Sequence, residues 1–191
     1  MGEQQSVRRG LRVRLSLKDY DYEALKNDFR NGVGFNDLFE AFRKAIESRV
    51  DNVELYRELL WNKSLSVEEL LFFAKKIGEV FPRIGYDTYM WLSNIFGSRV
   101  GEVDGLEMAF LCLKKASDFR PSSDEPYMNA CDLYNPDLKV PTLQSIMAFL
   151  RVGEGKVDSP KNIFERLSTY YGMMGNDEMS KYYERKSRRS S

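Results

Sequence analysis

The stretch AFLCLKKASDFRPSSDEPYMNACDLY, residues 109–134, carries the decisive pattern. Up to Phe119 its apolar residues continue a three-and-four spacing begun at Leu106: Ala109, Phe110, Leu113, Ala116 and Phe119. That period lines one face of a helix. Pro121 stops it, Asp124-Glu125 supplies acidic first-turn residues for the next helix, and Tyr127, Ala130, Cys131 and Tyr134 resume the same spacing. Two helices joined by a four-residue link must double back on each other, so this segment is a helical hairpin.

The same grammar extends in both directions. Leu70, Leu71, Ala74, Ile77 and Phe81 repeat the helical spacing. Asp37-x-x-Glu40, Ser66-x-x-Glu69 and Asp104-x-x-Glu107 have the form of capping boxes, and Ser159-Pro160 that of an N-cap followed by Pro at the first helical position. Stops fall at Pro82, Pro121, Pro136, Pro141 and Gly175. The predicted helices are 19–30, 36–48, 52–62, 66–80, 86–97, 104–119, 124–134, 142–151, 160–173 and 176–188. The predicted fold class is all-α: about ten helices in antiparallel hairpins, within one domain over 18–188. Residues 1–17 form a basic N-terminal arm in which Leu11, Val13, Leu15 and Leu17 alternate with polar residues, and 189–191 form a tail.

Composition narrows the chemistry. The chain has 191 residues, 29 Lys plus Arg against 29 Asp plus Glu, two cysteines and no histidine. Without histidine there is no His-based triad, Cys–His dyad, HExxH site or zinc finger. Cys112 and Cys131 are 19 apart within apolar helical patterns and read as small hydrophobes in a reduced, intracellular and cytoplasmic protein. No apolar leader or membrane-length run occurs. The charge balance hides an asymmetry: residues 1–17 sum to +3 and 181–191 to +4, which leaves −7 on 18–180.

Three segments repeat a helix end, a turn and an aromatic in the next helix. From Ala45, Ile77 and Ala116 to Tyr56, Tyr89 and Tyr127 the distances are 11, 12 and 11, and the tyrosines are 33 and 38 apart. Each tyrosine is expected to plug the gap between hairpins. With Ala109, Leu113 and Ala116 before Pro121, and Tyr127, Ala130, Cys131 and Tyr134 after it, the chain resembles the tetratricopeptide-repeat family. Pro82, Tyr89, Leu92, Ser93 and Phe96 echo these roles, as do Phe164, Leu167, Tyr171, Gly175, Met179 and Tyr183 nearer the C-terminus. The resemblance covers about residues 20–188 in degenerate copies and implies a right-handed solenoid of stacked hairpins.

It also implies a concave face lined by the first helix of each hairpin, with Glu54, Arg57, Trp61, Met90, Asn94, Glu125, Met128, Asp132 and Glu165 near it. Acidic groups interspersed with Trp and Met suit a partner protein segment bearing basic and apolar residues. Family members that clamp a chaperone's terminal carboxylate pair Asn with Lys; Met90 stands where that lysine would precede Asn94. The expected function is a non-catalytic protein-binding scaffold or adaptor, without metal, cofactor or catalytic residue. Arg151-Val152-Gly153-Glu154-Gly155-Lys156 lacks the spacing of a phosphate loop and reads as a flexible turn. The alternative function is nucleic-acid association through Arg8, Arg9, Arg12 and Arg14 in the arm and Lys181, Arg185, Lys186, Arg188 and Arg189 in the C-terminal segment, where neighbouring tyrosines can stack bases.

Overall fold

In the computed structural model, residues 22–98 and 103–190 are described. Ten helices occupy them: α1 (Tyr22–Asn31), α2 (Phe35–Glu47), α3 (Val53–Leu60), α4 (Val67–Val80), α5 (Pro82–Gly97), α6 (Val103–Phe119), α7 (Glu125–Asp132), α8 (Leu143–Glu154), α9 (Lys161–Met173) and α10 (Asp177–Arg189). Among the described residues there is no strand; Asn135 and Val140 make one isolated bridge. The fold is all-α. The N-terminal arm lies outside the described residues, and α10 extends into the predicted tail as far as Arg189.

The termini follow local chemistry, with corrections. The Ser66–Glu69 capping box forms in full: Ser66 Oγ accepts from the Glu69 amide at 3.2 Å and Glu69 accepts from the Ser66 amide at 2.7 Å. The other two boxes do not form. Helix α2 starts after Gly34, whose φ of 87° suits glycine, and this places Asp37 inside the first turn. Helix α6 likewise already includes Val103, so Asp104 is a first-turn acid. Both carboxylates face the helix dipole instead of capping it. Pro160, not Ser159, is the N-cap of α9.

Pro82 does not merely stop α4. It is the first residue of α5, and Phe81 is at once the C-cap of α4 and the N-cap of α5. Proline needs no amide partner at that position, so α5 begins four residues before the predicted boundary. The segment 151–156 is corrected as well. Helix α8 runs on to Glu154, and Gly153 is buried within it. A Cβ there would come within 2.7 Å of Ile163 Cδ1 and 2.8 Å of Tyr127 Cε1, so glycine allows α8 to approach both α7 and α9.

Each helix packs on its neighbour in sequence or on the next odd-numbered helix. The closest pairs are α5 with α6, α9 with α10 and α4 with α5; α1 also packs on α3, α3 on α5, and α7 on α9. Tyr56 and Tyr127 are fully buried and Tyr89 nearly so. Tyr56 does plug between hairpins, with ring contacts to Phe29 of α1, Phe42 of α2 and Phe81. The ring partners of Tyr89 and Tyr127 are Phe119 and Phe149, each from the tyrosine's own hairpin.

Candidate functional site

The residues expected at a binding face sit on the odd-numbered helices, and the structure sorts them into three groups. The first gathers around Trp61, the C-cap of α3, which is 56% exposed. Its indole lies 6.0 Å from that of Trp91 on α5, tilted by 44°. The Arg57 guanidinium stands 4.9 Å over the Trp91 ring and is held from the other side by Glu54 at 2.5 Å. Cation–π attraction and the ion pair together fix Arg57 beside the aromatic pair. Arg57 Nε and Trp91 Nε1 are buried without a hydrogen-bond partner among the described residues.

Trp61 also borders a depression of about 490 Å³, shared with Val33, Arg30, Glu58 and Lys63. Val33 is 79% exposed. Arg30 grips Glu58 at 2.5 and 2.7 Å, a bidentate contact joining α1 to α3. That contact holds the Glu58 carboxyl below its usual range against the opposing effect of partial burial. Asn62 closes the floor by donating to the carbonyls of Phe29 and Gly32 at 2.8 and 3.1 Å.

The second group joins Asn94 of α5 to Asp132 of α7. Together with Asn129, Ser98 and Leu133 they line an open depression of about 390 Å³. Asp132 also faces Arg166 of α9 at 3.5 Å. Trp91 and Asn94 are three residues apart on α5 and so share one side of that helix, which connects the two groups.

The third group is occupied with structure. Met90 is only 9% exposed, because α5 is covered by both α4 and α6, and it belongs to the core rather than to a binding face. Met128 is half-buried against the core. Glu125 accepts a 2.5 Å hydrogen bond from the Tyr86 hydroxyl, and Arg120 lies 3.8 Å over the Tyr86 ring. Burial first, then this bond, pushes the Tyr86 hydroxyl up to about 12. Glu165 accepts from Ser187 of α10 at 3.1 Å.

Sequence reasoning missed Trp91, Glu58, Arg30 and Val33. Glu58, Trp91 and Asn129 each stand two residues after a repeat tyrosine, the offset that the structure turns outward between hairpins. That common offset was a usable signal.

The cations of α10 divide. Lys186 bonds to Glu154, and Arg188 pairs with Glu184 at 2.6 Å. Lys181, Arg185 and Arg189 are exposed and face no carboxylate among the described residues. Arg8, Arg9, Arg12 and Arg14 lie outside those residues. Burial pushes the Cys112 thiol up to about 12 and also raises that of Cys131, so both persist as thiols near neutral pH. Among the described residues no group of three His, Cys, Asp or Glu side chains is placed to hold a metal ion, and no helix is long and apolar enough to cross a membrane. Compared with known family models and with curated proteins, the chain matches none.

Proposed function

We infer that this chain is a non-catalytic interaction scaffold of tetratricopeptide-like build, its helical hairpins stacked as a solenoid that holds a segment of a partner protein against the odd-numbered helices. The observation that carries the reading is Trp61: a largely exposed indole, braced on Trp91 and bordering a depression whose other apolar wall is Val33. A rigid, half-covered tryptophan in a concave setting is the kind of residue on which binding energy concentrates. Packing of odd helices on one another supports the solenoid, since such repeats touch mainly their neighbours. The exposed carboxylates of Glu54 and Asp132 favour a partner segment with basic and apolar residues. Free, buried Cys112 and Cys131 fit a reducing compartment such as the cytoplasm.

The test is differential capture. Native lysate treated with nuclease is passed over the intact protein and over the Trp61→Ala and Asn94→Ala variants, and bound proteins are quantified. A defined protein should be retained by the intact chain and its affinity should fall roughly thirtyfold with Trp61→Ala, equivalent to about 2 kcal/mol for a central aromatic. Identical captured sets for all three proteins would remove Trp61 from any binding role.

A further inference from the structure

We propose that the outer face of α10 is a second interaction surface, separate from the Trp61 region, and that it takes single-stranded nucleic acid. The helix buries Tyr183 and Ser187 and leans Met179 on the core, so those residues define its inner side. Lys181, Arg185 and Arg189 recur every four residues, one per turn and about 6 Å apart along the axis. They form a single row on the side turned to solvent. Tyr182, 42% exposed, stands beside that row and with Arg185, Lys186 and Arg189 borders a shallow concavity of about 220 Å³. Its ring makes a T-shaped contact with that of Tyr183 at 5.0 Å, and the Lys186 ammonium lies 5.3 Å over its centroid.

What distinguishes this face from ordinary solvated charge is the pattern of neutralisation. The two other cations of the helix have partners, Lys186 on Glu154 and Arg188 on Glu184. The three in the row face no carboxylate among the described residues, Arg185 donating only to the Lys181 carbonyl at 3.2 Å, although like charges four apart on a helix repel one another. A repeating anion relieves that repulsion. The exposed ring adds selectivity, because a tyrosine beside cations stacks a base while the cations hold phosphate. A plain acidic peptide has no π-face to offer. The −7 on residues 18–180 does not oppose this surface strongly, since charges farther than about 8 Å are largely screened at physiological salt.

Binding of a fluorescein-labelled 15-nucleotide oligouridylate to the full chain is followed by anisotropy, with a labelled oligoglutamate of equal length as the second probe. The oligouridylate should bind at 50 mM salt with a log–log salt slope of about −2, as expected for three cations on a single strand. Lys181→Gln/Arg185→Gln/Arg189→Gln should weaken it at least tenfold. Tyr182→Ala should weaken it about tenfold while Tyr182→Phe retains affinity, and oligoglutamate should bind far more weakly. Circular dichroism confirms that the variants stay folded, which their exposed positions allow. No binding at 50 mM salt overturns the proposal, as does undiminished binding by the triple variant. Equal affinity for oligoglutamate with no effect of Tyr182→Ala overturns it in favour of an acidic protein surface.

Discussion

Phe119, at the end of α6, shows how much one side chain organises. Its ring lies where a Cβ on Gly85 would come within 2.5 Å of Cε1, and where one on Gly78 would come within 2.7 Å of Cζ. It also stacks on Tyr89 at 5.8 Å. Three helices therefore converge on one ring through two glycines. Gly85→Ala gains about 1 kcal/mol of helix propensity but overpacks the site at a cost of about 1–3 kcal/mol, so it should lower stability in urea unfolding. The Phe119→Leu background should reduce that loss. Gly172→Ala is the contrasting case. Its nearest contact would be Ser180 Oγ at 3.5 Å, an ordinary distance, and the same propensity gain should there raise stability.

The tyrosine hydroxyls make a second residue-scale prediction. Burial holds Tyr86, Tyr89 and Tyr183 up to about 12, against about 10 in an unfolded chain. The folded state prefers the protonated form, so this stability is fully present below pH 10 and is lost as pH rises from 10 to 12. The urea midpoint should stay level between pH 8 and 9.5 and fall above it, and Tyr86→Phe should flatten part of that fall.

At the scale of elements, the last turn of α8 is the instructive case. Glycines at 153 and 155 mark a loop by composition, yet Gly153 is buried and Glu154 anchors α10. The Glu154 carboxylate accepts from the Tyr183 hydroxyl at 3.1 Å and from Lys186. Glu154→Gln should loosen α10, seen as faster amide hydrogen exchange over Asp177–Arg189 with little change in α4 to α6. The capping box of α4 is the counterpart that local sequence does specify. Ser66→Ala should cost about 1 kcal/mol, whereas Asp37→Asn, at a position that caps nothing, should cost much less.

For the whole molecule, the distribution of packing sets which parts open first. Helices α4, α5 and α6 form the most closely packed block, while α7 is a helix of eight residues joined to α8 by the link 133–142. A chain whose helices touch mainly their neighbours is expected to open piecemeal. Among the described residues, exchange protection should accordingly be greatest in α5 and α6 and least around 133–142.

All ten helices were legible in the sequence, because three-and-four spacing, proline and acidic first turns act within a few residues and need no distant partner. Pro82 ends α4 as the sequence indicates and also opens α5, a second local role that was not read; Gly153 was misjudged because its role depends on what lies opposite it, α7 and α9. Of the candidate site, the sequence singled out Trp61, Asn94 and Asp132, while only the tertiary structure set Trp91 under Trp61, drew Arg30 onto Glu58 and sank Met90 into the core. Periodicity reports which side of a helix is apolar; it does not report which neighbouring helix covers that side, and exposure is decided by that covering.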